Sequence, residues 1–389
     1  MTGQLERTRA AIDRLCLLPI DERMLRAQLL EQIHKVLPFD AYVWLLTDPA
    51  STVGNAPLAE VPCLPELPAL IKRKYLTTVN RWTELSRGND QVGLLQLSTS
   101  GRPSRSLLWR EMLCDMGISD IASTVFADRY GCWGFLDLWR RKGPYTAADA
   151  DWLAGVSGTI TRALRRRQAA AFTDGAPASP PPDGPAVLIL DDQLRMISRT
   201  AAATDWLRSL LPTPPGMSPI PAVAYNVAAQ LLAVEAGVDG HPPSVRSRVA
   251  GQTWVTLRAS RLQMDGGLGA IATPAAIADS PRSGRAQTGS IHNSEGLIAV
   301  SIEETTAGPR LDLFARSHGL SDREQQVLLL LSRAAETRDI ANQMAITEYT
   351  VQDHLKSIFH KTGLSSRNAL LLTAIGPHRG TGTADPAAP

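Results

Sequence analysis

Between positions 347 and 361 the sequence TEYTVQDHLKSIFHK places two kinds of side chain at helical spacing. Val351, Leu355, Ile358 and Phe359 fall at i, i+4, i+7 and i+8, which makes one apolar face. The opposite face carries Glu348, Tyr349, Gln352, Asp353, Lys356 and His360. Three of these have the chemistry to read base edges in a DNA major groove. Gln352 suits adenine as a bidentate partner, Lys356 suits guanine O6 and N7, and Asp353 suits the amino group of cytosine. Thr347, Tyr349 and Thr350 offer hydroxyls to flanking phosphates, and Lys361 and Arg367 offer cations. Glu348 and Asp353 leave this face only weakly basic, so pairing of two copies and flanking phosphate contacts are expected to matter for affinity.

Such a helix needs neighbours that hold it outward, and the flanking sequence is punctuated accordingly. Ser321 followed by Glu324 is a capping box that opens a helix lined by Val327, Leu330 and Leu331. A second helix is expected at 338–344, with Ile340, Ala341 and Met344 inward, then a tight turn at Ala345 and Ile346. Thr347 caps the third helix and Gly363 ends it.

The segment 320–372 resembles the LuxR/FixJ (GerE-like) helix-turn-helix family. The matching residues are Leu320-Ser321 with Arg323-Glu324, Val327-Leu328, Ile340-Ala341, Thr350-Val351 with His354-Leu355, Ile358 with Lys361, Gly363-Leu364 and Ser366-Arg367. The resemblance implies a four-helix all-α domain over 313–378 that binds double-stranded DNA as a homodimer. It assigns base contacts to Gln352, Asp353 and Lys356. The fourth helix, at 366–375, is implied to dimerise through Ala369, Leu370, Leu372 and Thr373. Two positions depart from the pattern. Ala334 stands where the family has glycine, at a left-handed cost of about 1 kcal/mol, so a rebuilt connection is expected. Glu336 replaces a small polar cap. The competing reading is a protein-interaction module that uses the same bundle against another protein.

The first 170 residues read as helices over 4–35 broken at Pro19, a strand at 41–46 and a proline-rich loop holding Pro57, Pro62, Pro65 and Pro68. Helices at 72–82 and 106–116, strands at 121–128 and 132–140, and a long helix at 146–167 capped by Thr146 complete them. The stretch 133–167 resembles the end of a GAF domain. After a Pro/Ala/Gly linker at 171–185, a unit at 186–304 resembles a PAS domain. Its expected elements are a strand from Ala186, helices at 201–211 and 222–236, and strands at 245–249, 254–264, 269–273 and 297–303, with a loose insertion at 275–296. The tail 379–389 is expected to be disordered. The expected fold is therefore multidomain: GAF-like and PAS-like sensor domains, each an antiparallel sheet with flanking helices, plus the helix-turn-helix. The two resemblances imply a small-molecule pocket between sheet and helices, with an effector of unspecified identity. Trp44, Trp133, Trp139 and Trp152 are candidates to line it.

Other inputs are excluded by what the sequence lacks. A phosphorylated receiver needs a late lysine, and no lysine lies between Lys142 and Lys356, so Asp191-Asp192 reads as a solvated strand end. An ATPase needs a phosphate-cradling GxxxxGK[ST] loop, which is missing. The Trp/Tyr/Asp pattern of acyl-homoserine-lactone sensors is not reproduced around Tyr42, Trp44 and Asp48. No nucleophile elbow, zinc-protease motif or dinucleotide fingerprint is present, so no catalysis and no cofactor are expected. Cys16, Cys63, Cys114 and Cys132 are scattered without metal spacing, and His34 and His241 have no partner at ligand spacing. In a chain of 389 residues the net charge of +2 names no partner. The charged N-terminus and the lack of an ~18-residue apolar run predict a cytoplasmic protein without a membrane span.

Overall fold

The computed structural model describes residues 2–88, 90–173, 181–211, 218–249, 253–262 and 296–376. The strand expected at 269–273, most of the loose insertion and the tail lie outside them. No helix among them is long and apolar enough to cross a membrane.

Two strands, β4 (Asp120–Asp128) and β5 (Gly131–Arg140), are buried along almost their whole length, because helices cover both faces of their sheet. With β1 (Ala41–Thr47), β2 (Gly54–Glu60) and β3 (Val92–Leu94) they form a five-stranded sheet in the order β2-β1-β5-β4-β3, antiparallel throughout. One face packs against α1 (Thr2–Leu17), α2 (Glu22–His34) and α6 (Ala147–Ala170) through Trp44, Leu136, Leu138, Val156 and Ile160. Thr146 caps α6 in a full capping box with Asp149. The other face lies under α3 (Leu67–Leu76) and α4 (Trp82–Leu85), with Trp82 stacked on Phe135 at 4.5 Å, and the short α5 (Leu95–Ser98) follows β3.

The expected proline loop is only partly a loop. Pro57 lies in β2, an edge strand, where a β-bulge leaves Ala56 and Pro57 out of the ladder. An edge position and a bulge are the two places where a missing N–H costs a sheet little. Pro68 lies at the start of α3, where its N–H would be unused anyway. The helix expected at 72–82 therefore begins and ends earlier, and a single π-helical turn, Trp109–Leu113, occupies part of the one expected at 106–116.

A second five-stranded sheet contains β6 (Ala186–Leu190), β7 (Met196–Arg199), β8 (Ser244–Arg248), β9 (Trp254–Arg261) and β10 (Ile298–Glu304). Its order is β7-β6-β10-β9-β8, also antiparallel. Numbered within each unit among the described residues, both sheets have one strand order, 2-1-5-4-3. The helices of this unit are α7 (Ala201–Leu210) and α8 (Ala222–Glu235). α8 is buried all round, from Ala222 through Gln230 and on to Leu232 and Ala233. It has no polar face because its own sheet covers one side while α3 and β2 cover the other. The two units thus share one hydrophobic core.

Two buried ion pairs close that junction. Arg81 meets Asp239 at 2.7 Å with both side chains almost fully buried. Arg246, on β8, meets Asp48 at 2.6 Å and Asp312 at 2.7 Å. Asp312 belongs to α9 (Ala307–Ser317), the first of five C-terminal helices. Burial opposes ionisation of Asp48, but the Arg246 guanidinium and its hydrogen bonds outweigh that and hold the carboxyl below its usual range. α9 is anchored a second time by Phe172, which stacks on Trp254 at 5.1 Å and meets Phe314 edge-on at 5.2 Å.

Arg246→Ala strands the Asp48 carboxylate inside the junction, so it should lower the unfolding free energy by roughly 3–5 kcal/mol. Urea denaturation measures this, and pairing the change with Asp48→Ala should recover part of the loss. A single variant as stable as the parent would remove this pair from the determinants of the fold.

Candidate nucleic-acid interface

The C-terminal helices are α9, α10 (Asp322–Ser332), α11 (Thr337–Met344), α12 (Glu348–Thr362) and α13 (Arg367–Ile375). Their boundaries follow the punctuation in the sequence. Ser321 and Glu324 form the reciprocal capping box of α10. Thr347 accepts from Thr350 N at the start of α12, and Gly363 ends that helix at φ 70°. Ser366 caps α13. The inner faces meet in one core containing Val327, Leu331, Ile340, Ala341, Val351, Leu355, Ile358 and Leu370.

The two departures resolve differently from expectation in one case and as expected in the other. The connection after α10 is not rebuilt: Ala334 adopts the left-handed conformation at φ 60°. Ala334 is exposed, and the cost of a left-handed alanine comes from its Cβ against the backbone carbonyl that follows. Glu336 makes no side-chain cap on α11. Ala345, in the turn between α11 and α12, is left-handed as well, at φ 53°.

This core leaves the outer face of α12 open. Tyr349 is 72% exposed, and Gln352, Asp353 and Lys356 are exposed beside it. Lys356 pairs with Asp353 at 3.1 Å and lies 5.7 Å from the Tyr349 ring centroid. The Asp353 carboxylate raises the Lys356 pKa, so the ammonium stays charged. These four side chains make one ridge of donors and acceptors.

The flanking positions are more engaged. Lys361 meets Glu324 at 2.6 Å, and Ser357 Oγ donates to the same carboxylate at 2.6 Å. Burial works against the Glu324 charge, but Lys361, Ser357 and the Ser321 N–H hold its pKa down at about 2. Arg367 donates to Thr337 Oγ1 at 2.7 Å, and Gln352 Nε2 reaches the same hydroxyl at 3.4 Å. Thr347 and Thr350 share their hydroxyls at 2.9 Å. Of the α13 positions, Leu372 is 63% exposed while Leu370 is fully buried within the chain. Ala369 and Thr373 are half-buried, and Thr373 O accepts from Arg310.

Sequence reasoning did not single out three contributors. α9 was legible in Leu311, Phe314 and Ala315 at i, i+3, i+4 before Gly319. Thr337 and Arg338 were not. Thr337 is found only through its tertiary partners. Arg338 is exposed, next to Thr337.

Two helices joined by a tight turn, the second presenting an exposed polar ridge, define a helix-turn-helix DNA-binding domain. Residues 318–374 match the GerE family, described as bacterial regulatory proteins, luxR family. No curated protein matches the chain. The family match supports a DNA-binding transcription regulator.

Relief of the left-handed alanine by Ala334→Gly should stabilise the chain by about 1 kcal/mol, and Glu336→Ser should add about 1 kcal/mol by supplying the missing cap. Denaturant midpoints read both, and unchanged midpoints would mean the connection carries no strain. Glu324 gives a pH signature. Its folded pKa of about 2 lies below the ordinary 4.5, so its contribution is complete above 4.5 and disappears as pH falls toward 2. Glu324→Gln should therefore cost about 1–2 kcal/mol at pH 7, after allowing for solvent around Lys361. That gap should close across the acid window, and a gap independent of pH contradicts the assignment.

Proposed function

We propose that the chain is a sequence-specific transcription regulator that acts in the cytoplasm and binds a roughly two-fold operator as a homodimer. The observation that carries this reading is the open polar ridge of α12 within a segment that matches the luxR family. Gln352, Asp353 and Lys356 read bases, with Lys356 leaving Asp353 for guanine when the groove is occupied. Thr347, Tyr349, Thr350, Lys361 and Arg367 position the backbone, and Arg338 joins them as an exposed cation. Leu372, with Ala369 and Thr373 around it, forms the contact between two α13 helices, while Leu370 supports it from within. Spacing of the two reading helices by about 34 Å, one DNA turn, sets operator recognition.

The N-terminal units act as GAF-like and PAS-like input domains. Their shared 2-1-5-4-3 strand order supports this, as does the junction that ties both to α9. A signal or partner shifts the population of arrangements of that junction, and with it the pairing of the reading helices.

Footprinting across a salt series tests the reading. Phosphate contact requires log K to fall with log salt at a slope of about −0.9 per contact. Absence of a protected site at any salt concentration would leave the α12 ridge as a protein-binding surface. Lys356→Ala should cost roughly 1–3 kcal/mol at the specific site and relax preference at one base pair. An equal loss on every sequence would make Lys356 a phosphate contact.

A further inference from the structure

The hydroxyl of Thr337 joins three helices of the C-terminal bundle. Thr337 opens α11 and is half-buried. Its Oγ1 accepts from Arg367 Nη2 at 2.7 Å and from Gln352 Nε2 at 3.4 Å. Arg367 begins α13 and Gln352 lies on α12. Neither bond is local, since the partners stand 30 and 15 residues away in sequence. One oxygen thus ties a member of the exposed ridge to a cation on the next helix. At 3.4 Å the Gln352 bond is the weaker of the two. Arg367 therefore fixes the hydroxyl, and the hydroxyl aims the amide.

The count of donors and acceptors makes this arrangement compatible with base contact. A glutamine amide has one carbonyl oxygen and two N–H groups. A bidentate contact with adenine uses the oxygen for N6–H and one N–H for N7. That leaves the second N–H, which a protein partner can hold without competing with the base. A hydroxyl oxygen has two lone pairs, and Arg367 and Gln352 take one each. The Arg367 guanidinium carries five N–H donors, so its bond to Thr337 and a phosphate contact can be held together.

We propose that Thr337 is a positioning residue for base readout: its hydroxyl, fixed by Arg367, orients the Gln352 amide for adenine. This rests on the reading of α12 as the base-contacting helix. An exposed glutamine otherwise samples many rotamers, and ordering it on binding opposes the contact. Anchoring one N–H in the free protein removes part of that cost, and the benefit is realised where the amide meets its matching base. Thr337 therefore acts on sequence preference more than on general affinity. A direct phosphate contact from the same hydroxyl would do the reverse.

The first arm of the test titrates the full-length chain, at fixed salt, with operators altered at the base pair where Gln352→Ala relaxes preference. The reading is the ratio of dissociation constants for adenine against the other bases. Thr337→Val should lower that preference about three- to tenfold. Thr337→Ser should keep it, and Thr337→Val should change it no further in a Gln352→Ala chain. Unchanged preference in Thr337→Val overturns the proposal, as does an equal loss on every sequence, which makes Thr337 a phosphate contact. A serine variant as poor as the valine one overturns it likewise, because the hydroxyl is then not the agent. Thr337→Ala takes the place of the valine variant should that one fail to fold, since alanine suits a helix best.

The second arm uses no DNA. In full-length protein carrying isotope-labelled glutamine, the side-chain amide signal lost in Gln352→Ala identifies Gln352 by nuclear magnetic resonance. Thr337→Val should move that signal upfield, as loss of a hydrogen-bond acceptor does, and Thr337→Ser should not. A signal that stays in place overturns the proposal whether or not an operator is found. Absence of any operator overturns the reading of α12, and this role with it, whereas an operator whose base preference ignores Thr337 overturns this role alone.

Discussion

Arg246 is the side chain on which the assembly of this protein turns. Its Nε and Nη2 donate to Asp48, and its Nη1 donates to Asp312 and to Pro309 O. Its backbone N–H also reaches Asp48. A guanidinium is costly to bury, and only a full set of acceptors in its fork geometry offsets that cost. Here three elements meet: β8 carries Arg246, the β1–β2 loop supplies Asp48, and α9 supplies both Asp312 and Pro309 O. No pair of these elements satisfies Arg246 without the third. The junction therefore behaves as a unit, assembled or opened together.

That cooperativity gives the N-terminal units a physical route to α9. Asn226 holds Gly54, whose N–H also donates to the Tyr75 hydroxyl. Trp82 holds Thr52 through its indole N–H. Thr52 and Gly54 flank the end of the loop that presents Asp48 to Arg246. The elements along this route are of the kind that coupling between sites needs. A helix buried on all sides, such as α8, cannot shift without repacking both sheets, and discrete repacking is what converts a small change into two states.

The two halves of the chain differed in how much of this was legible, and the reasons are physical. In the C-terminal half, structure is set by local rules. Ser321, Thr347, Gly363 and Ser366 each act on a backbone group within a few residues, so the sequence displays them directly. Ala334 was legible as a departure, but its outcome was not. The core contacts of α10 and α11 keep the left-handed turn in spite of the Cβ. In the N-terminal half the informative features are long-range. β2 was hidden because Pro57 signals a loop, and only the edge position and the bulge make it tolerable. Trp139 lines a cavity of about 220 Å³ on the first sheet beneath α3, whereas Trp44 and Trp133 pack on the opposite face of the sheet. Which face a tryptophan takes depends on the register of β5, and the bulge at Phe126/Ala127 shifts that register beyond what alternation predicts. Glu324 read as a cap and is one, yet its second role, holding Ser357 and Lys361 from across the bundle, exists only in three dimensions.

The double role of Glu324 bears on how the reading face works. Its carboxylate fixes the C-terminal half of α12 against α10, which holds the ridge of Tyr349, Gln352, Asp353 and Lys356 in one orientation. The same contact takes up the Lys361 charge, and Asp353 takes up that of Lys356. An ion pair at the protein surface is worth little, so Asp353 holds Lys356 only weakly and the proposed exchange for a base or phosphate costs little. Lys361 is less free, because releasing it leaves Glu324, 4% exposed, short of a partner. The ridge is thus oriented firmly but charged weakly. One copy then gains little from phosphate attraction, which supplies most non-specific affinity. In the proposed dimer, discrimination rests on base contacts and on the pairing of two ridges, and the Arg246-centred junction, which includes Asp312 of α9, is where the proposed input would act on that pairing.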